Sequence, residues 1–236
     1  MTKNKKGYIY EDQGSLWGSP DAIGFGSDDF HVKEIPREQA SKMIIANHYS
    51  KKVYTATYIH LGLFVHGKML GVLQFGYAMN PASCGSLVTG TEMDEYLELN
   101  RMWIDDSAGK YPESRAFSCS LKYIKKRFPK IKWVQSFADE RCGGFGIVYQ
   151  ACSFDYFGEH TSVFWELDGE TFHNSIMTRK ELRGYKLLND PANADRVNKY
   201  SLRQFRYIKF LDKRCKKLCT LKEMPYPKHY KEADNV

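Results

Sequence analysis

Apolar residues first fall into a helical rhythm after Ile35, where Pro36 leads into Arg37-Glu38-Gln39-Ala40-Ser41-Lys42-Met43-Ile44-Ile45. A proline at a helix start gives up only an N–H that the first turn does not use, so the spacing predicts a helix ending near Asn47. Tyr58 to Val65 and Met69 to Tyr77 are two β-rich runs joined by His66-Gly67-Lys68, the pattern of an antiparallel hairpin. A loop rich in Pro, Ser and Gly follows, and then Tyr96 to Ile104 alternates loosely as a strand. Pro112 opens a second helix. Its Ala116, Phe117, Cys119, Ser120, Tyr123 and Ile124 share one face, with Lys122, Lys125, Lys126 and Arg127 on or near the other, until Phe128-Pro129 stops it. Ile131 to Ala138 is the next strand. Gly143-Gly144 precedes a short apolar helix from Phe145 to Cys152, and Ser162–Leu167 with Glu170–His173 forms a second hairpin about Asp168-Gly169.

This order predicts an α/β (α+β) fold, a single domain whose central mixed, mostly antiparallel sheet is flanked by helices. The strands on either side of the Pro112 helix should be parallel, because one crossover helix returns the chain to the same end of the sheet. Residues 1–34, rich in Gly, Ser and Asp, read as an irregular arm. Residues 35–175 read as the core, and 176–236 as a basic extension packing on it.

The 236 residues, 42% hydrophobic and 14% aromatic, suffice for one large domain or two small ones, and no internal repeat or low-complexity linker divides them. The net charge of +7 is unevenly spread. Ile176 to Val236 carries 16 basic and 7 acidic residues, against 19 and 21 before it, which suits a polyanionic partner. Within that stretch Arg203, Arg206, Lys209, Lys213 and Arg214, with Lys199, Lys216 and Lys217, are interleaved with Tyr200, Phe205, Tyr207 and Phe210. Either this mixture contacts phosphates and stacks on bases, or it is the solvated basic face of a terminal strand and helix. No run approaches the roughly 18 apolar residues of a membrane helix, and no signal core follows the N-terminal lysines, so a soluble cytoplasmic protein with no membrane partner is expected. The six cysteines include no CxxC pair, and reduced thiols are expected. The histidines lack ligand spacing, so no metal is assigned.

Three clusters hold more polar and small residues than packing requires. Asn47-His48-Tyr49-Ser50 follows the first helix, where His and Tyr offer acid, base or stacking functions; alternatively Asn47 is a left-handed cap and His48 favours the helix dipole. Asn100-Arg101 is paired with the helix start Pro112-Glu113-Ser114-Arg115, either an anion pocket or an ordinary charged first turn. Ser136-Phe137-Ala138-Asp139 ends a strand in a carboxylate ahead of Arg141-Cys142-Gly143-Gly144 and Tyr149-Gln150. Ligands bind at the carboxyl ends of strands flanking a parallel crossover, although Asp139 can equally cap the next helix.

Together Asn47-His48-Tyr49-Ser50, Leu99-Asn100-Arg101-Met102-Trp103, Glu113-Ser114-Arg115-Ala116, Ser136 through Gly144, Tyr149-Gln150-Ala151 and Phe154 resemble the Mom proteins of bacteriophages, over about residues 35 to 215. The element order resembles the acetyltransferase superfold known as GNAT. The resemblance implies an enzyme that converts adenine in double-stranded DNA to the N6-carbamoylmethyl form in the host cytoplasm, protecting phage DNA from restriction. It implies catalytic roles for Asp139, Tyr149, Ser114, His48 and Tyr49, and substrate contacts from Asn47, Ser50, Arg101, Arg115 and Ser136. Arg203, Arg206, Lys209, Lys213 and Arg214 would bind DNA. CoA-dependent members of the superfold carry an Arg/Gln-x-x-Gly-x-Gly/Ala loop before this helix, and here Ser107-Ala108-Gly109-Lys110-Tyr111-Pro112-Glu113-Ser114 lacks the second glycine. No tightly bound cofactor is therefore expected, and glycyl-tRNA is favoured over acetyl-CoA as donor, which makes tRNA a possible second partner. A DNA-binding anti-restriction protein without chemistry and an acetyl-CoA-dependent acetyltransferase are the alternatives.

Overall fold

The computed structural model describes residues 7–10, 21–140 and 144–228. Strands β1 (Tyr8–Tyr10), β2 (Ala22–Gly26), β3 (Phe30–Glu34), β4 (Thr57–Val65), β5 (Lys68–Gly76), β6 (Tyr96–Ile104), β7 (Trp133–Asp139), β8 (Asp155–Leu167), β9 (Glu170–His173) and β10 (Asn198–Phe210) form one sheet. Their spatial order is β1-β2-β3-β4-β5-β6-β7-β10-β8-β9. Helices α1 (Arg37–Asn47), α2 (Cys84–Leu87), α3 (Pro112–Arg127), α4 (Ile147–Ala151), α5 (Arg183–Leu188) and α6 (Lys213–Lys216) complete the chain. Neighbouring strands are antiparallel throughout, except that β6 and β7, joined through α3, are parallel as the crossover requires.

The alternation of the strands sorts their side chains onto two faces. Leu73, Phe75, Leu97, Leu99, Val134, Phe205 and Tyr207 meet Ala116, Phe117, Tyr123 and Ile124 of α3 in the main core. The opposite face is covered near β4–β6 by α1, whose Ala40 and Ile44 pack with Ile35 and Val72. A third cluster gathers Tyr96, Trp133, Phe157 and Ile208 around Cys84 of α2 and Val88. The five described cysteines are unpaired thiols.

Two expectations from the sequence are corrected. In place of an irregular arm, the described part of residues 1–34 supplies three strands of the sheet. Glycine there marks close strand packing: a Cβ on Gly24 would lie 2.3 Å from the Val32 carbonyl oxygen. Ser27 closes the turn, its Oγ accepting from the Phe30 N–H at 3.2 Å. Residues 198–210, expected within an extension packed on the core, run inside the sheet between β7 and β8. Phe205 and Tyr207 are buried in the core on the same strand that carries Arg203, Arg206 and Lys209, so a charge-rich segment is also a core strand.

Gly76 tests how tightly the β4–β5 hairpin closes beneath the site. A Cβ there would stand 2.2 Å from the Ala56 carbonyl oxygen, which also accepts from the Tyr77 N–H at 3.1 Å. Gly76→Ala should cost about 1–3 kcal/mol, because only backbone can give way. Urea unfolding checks it, and an unchanged midpoint would mean the hairpin end is loose.

Candidate active site

The site begins where the two parallel strands part. β6 and β7 pair only at Tyr96↔Trp133, Leu97↔Val134 and Glu98↔Gln135. Just beyond, the pairing of β6 with β5 steps from Phe75↔Leu99 to Gln74↔Arg101, which leaves Asn100 as an extra residue on β6. Such a bulge bends its strand. The bend carries β6 away from β7, which stays paired with β10 as far as Gln204↔Asp139. Side chains take over the bonds that a ladder would have made. Ser136 Oγ donates to the Leu99 carbonyl at 3.0 Å, Arg101 Nη1 to that of Asn100 at 2.6 Å, and Tyr149 Oη to that of Phe137 at 3.5 Å.

The gap holds a cavity of about 450 Å³ walled by Asn100 and Arg101 on β6, Phe137 to Asp139 on β7, Gly146 to Tyr149 at α4, and His48 and Tyr49 after α1. A second cavity of about 550 Å³ lies on the sheet face opposite α3. Glu98, Gln135, Gln204 and Arg206 line it with Tyr54, Phe137 and Phe164, and each of those four polar residues alternates with core residues pointing toward α3. Tyr49, Leu99, Asn100, Arg101, Phe137 and Asp139 belong to both cavities, so the gap is a window through the sheet. Asp139, 5% exposed, stands on its β7 edge.

His48 follows the last turn of α1, is 6% exposed, and packs against Tyr49 with 4.3 Å between ring centroids and the planes tilted by 33°. Its Nδ1 accepts from the Ser50 N–H at 3.1 Å and lies 2.9 Å from Ser50 Oγ, which places the ring proton of the neutral form on Nε2. Burial first, then the Arg101 and Lys51 charges, push its pKa down to about 4. A neutral imidazole offering Nε2–H is a hydrogen-bond donor that carries no charge. Arg101 is anchored from the other side, its Nε donating to the Lys52 carbonyl at 3.3 Å.

Of the residues expected from the sequence, Asp139, Tyr149, His48, Tyr49, Ser50 and Arg101 come together. Ser136 is spent on the Leu99 carbonyl and lines neither cavity. Asn47 is exposed, and its Nδ2 donates back to the Met43 carbonyl at 3.2 Å; it is the last residue of α1, not a left-handed cap. Ser114 and Arg115 sit elsewhere, in a shallow pocket with Phe30, over whose ring the Arg115 guanidinium lies at 3.8 Å. Arg141, Cys142 and Gly143 lie outside the described residues.

The five basic residues expected to bind DNA do not share a surface. Arg203 is held by Glu140 at 2.8 Å and Glu159 at 3.6 Å, and Lys209 donates to the Cys152 and Ser153 carbonyls. Arg214 pairs with Asp212 at 2.7 Å, Arg206 faces the second cavity, and Lys213 is exposed.

Sequence reasoning missed Glu98. It sits at the floor of the second cavity, accepting from Asn100 Nδ2 at 2.9 Å and Gln135 Nε2 at 3.0 Å. Its pKa is raised to about 7 by burial, against the opposing pull of those two donors and of Arg101 and Arg206. The available signal was its placement two residues before Asn100, on a strand where Leu97 and Leu99 claim the other face.

The family model described as "Mom protein family" matches residues 29–228. The chain is 44% identical over 209 residues to "Methylcarbamoylase mom" of Escherichia phage Mu, covering 87% of each. Among solved structures it is similar to a ribosomal-protein-S5-alanine acetyltransferase from Vibrio fischeri, at TM-score 0.46 and 12% identity, over 81% of this chain and 98% of that one. An acetyltransferase from Salmonella typhimurium, titled as modifying the N-terminal serine of ribosomal protein L7/L12, matches at TM-score 0.47 and 10% identity, over 79% and 97%.

The environment of His48 fixes its titration. Nitrogen NMR should show one neutral Nε2–H tautomer across pH 6–8, protonating only near its folded pKa of about 4. Because that value lies below the ordinary 6.5, its contribution to stability is complete above pH 6.5 and is lost as pH falls toward about 4. A midpoint near 6.5 would show that the ring is solvated and unfit for the role of a neutral donor.

Proposed function

The chain belongs to the Mom protein family, and on that footing we propose that it modifies adenine in double-stranded DNA to N6-carbamoylmethyladenine, a change that blocks restriction enzymes. The observation that carries this reading is the window in the sheet, where Asp139 faces cavities on both sides and two large reactants can meet from opposite faces. An adenine stacked in duplex DNA cannot present N6 to a buried carboxyl, so the target base must swing out of the helix, at about a few kcal/mol. The N6 lone pair is delocalised into the purine, so its attack on a carbonyl needs a base to take the proton as the bond forms. Asp139 fills that role. The His48 Nε2–H is the donor for the developing oxyanion, and the Tyr149 hydroxyl, half-buried beside the Phe137 carbonyl, returns a proton to the leaving oxygen. Tyr49 and Arg101 line the approach.

The segment before α3 does not fit a CoA pyrophosphate. Pro112 at the first helical position has no N–H to offer, and Asp105, Asp106 and Glu113 bring negative charge to that end. This supports an activated glycine ester, glycyl-tRNA, as the donor. Acyl transfer from it gives N6–CO–CH₂–NH₂, an isomer of the carbamoylmethyl product N6–CH₂–CO–NH₂. The free α-amine then closes a five-membered ring on C6 and expels the original nitrogen as the amide, so no oxidant is consumed.

Asp139→Asn should lower adenine modification by about 100-fold or more while leaving DNA affinity within about twofold, since the change removes a base and no phosphate contact. Nucleoside mass analysis and a DNA-binding titration read the two quantities, and normal turnover would remove Asp139 from the mechanism. With glycine carrying heavy nitrogen, the label should end on the nitrogen bonded to the purine ring. Label in the terminal amide, or modification in a mixture free of aminoacylated tRNA, would reject the donor.

A further inference from the structure

Glu98 and its neighbours form a built polar floor that the acyl-transfer step leaves unused. Asn100 spends both amide hydrogens, on the Tyr77 carbonyl at 3.1 Å and on Glu98 Oε1 at 2.9 Å, which fixes its orientation. Its Oδ1 is buried and finds no hydrogen-bond partner among the described residues, although Asn100 is only 9% exposed. Gln135 is fixed in the same way, donating to Glu98 Oε2 and accepting from Arg206 Nη1 at 3.5 Å. The Glu98 carboxyl is therefore clamped between two oriented amides on the floor of a cavity whose wall it shares with Asp139.

We propose that this second cavity holds the extrahelical adenine, with the Glu98 carboxyl paired to its Watson–Crick edge, the O–H donating to N1 and the other oxygen accepting from N6. The inference rests on the adenine-modifying reading above. A protonated carboxyl presents one donor beside one acceptor, which matches N1 and N6 of adenine. The residues facing Glu98 decide which form is present: burial beside Tyr54 and Tyr96 favours the acid, while the Asn100 and Gln135 amide donors and then the Arg101 and Arg206 charges favour the carboxylate. With a pKa of about 7, the acid is populated at neutral pH.

The pairing also supplies the second chemical step. When the α-amine of the glycyl group attacks C6, the C6–N1 π pair moves onto N1, which takes the Glu98 proton. On collapse the N1–H pair re-forms the C6–N1 double bond and its proton returns to Glu98. The C6–N6 bond breaks, and the departing amide nitrogen takes one proton from the attacking amine. Atoms and charge balance, and Glu98 ends as it began.

Glu98→Gln can still offer the base one donor and one acceptor, at the loss of one of the two amide bonds that clamp the carboxyl, but cannot give up a proton. It should still acylate N6 while slowing the rearrangement by about 100-fold or more, so that N6-glycyladenine accumulates; chromatography and fragmentation separate it from its isomer. The rate of rearrangement in the unsubstituted protein should pass through a maximum near neutral pH, rising as the α-amine loses its proton (pKa about 8) and held back as Glu98 ionises through about 7, whereas in the variant it should only rise. DNA carrying 1-deazaadenine at the target removes the N1 sink itself while leaving the protein unaltered, and it too should stall at the glycyl stage. Normal rearrangement by Glu98→Gln, or of the 1-deaza base, overturns the assignment of Glu98. Failure of the unsubstituted protein to alter adenine at all overturns instead the reading on which it rests.

Discussion

The parting of β6 from β7 after three paired residues is the constraint on which the site depends. Parallel strands that separate inside a domain expose backbone carbonyls to a dry gap, and leaving one unbonded costs about 1–3 kcal/mol. The chain meets that demand with side chains, Ser136 on the Leu99 carbonyl, Arg101 on that of Asn100 and Tyr149 on that of Phe137. The concentration of polar residues at this point is thus first a requirement of the backbone. On the proposed chemistry, what the gap leaves over does the work: the Asp139 carboxyl, the His48 ring and the Glu98 floor.

Which parts could be read from the sequence follows from how local their causes are. The β4–β5 hairpin, α3 and the parallel relation of β6 to β7 are set by periodicity, a turn glycine and the crossover, all visible in a short window. Strands β2 and β3 were hidden because Gly24 and Gly26 look like loop residues until the neighbouring Val32 and His31 backbones are known to lie within van der Waals distance. In the site, Asp139 and His48 were legible because they sit at or beside element ends that the topology must bring together, whereas Arg101 lies mid-strand on β6 and was carried by the family resemblance. Ser114 and Arg115 were misplaced for a non-local reason. The start of α3 opens toward Phe30 of β3, and nothing near residue 114 encodes that neighbour. Glu98 was hidden by its alternation with Leu97 and Leu99, since period two tells that a residue faces away from the core and not whether a cavity or water awaits it there.

The basic C-terminal quarter shows the same gap between composition and geometry. On β10 the period of two directs Arg206 into the second cavity and Arg203 with Lys209 to the other face. Arg203 and Arg214 are then tied to carboxylates, and Lys209 to carbonyls. Those charges still contribute to the long-range positive field of the molecule. They are not an array of free phosphate contacts, and counting them as one overstates the grip of this strand on a backbone.

Burial in the walls of the gap acts oppositely on its acid and its base, and both shifts remove charge. It pushes the His48 imidazole to about 4 and the Glu98 carboxyl to about 7, so near neutral pH the histidine is uncharged and the glutamate shares its population between acid and carboxylate. A group is useful for moving a proton when its two forms are close in energy, and for holding an oxyanion when it donates without having to be charged. On the proposed chemistry these needs fall on different steps. Acyl transfer develops negative charge on a carbonyl oxygen near His48, whereas ring closure develops it on N1 over Glu98. The bulge at Asn100 sets the two demands on opposite sides of one opening, so a base held in the window can meet them in turn without leaving.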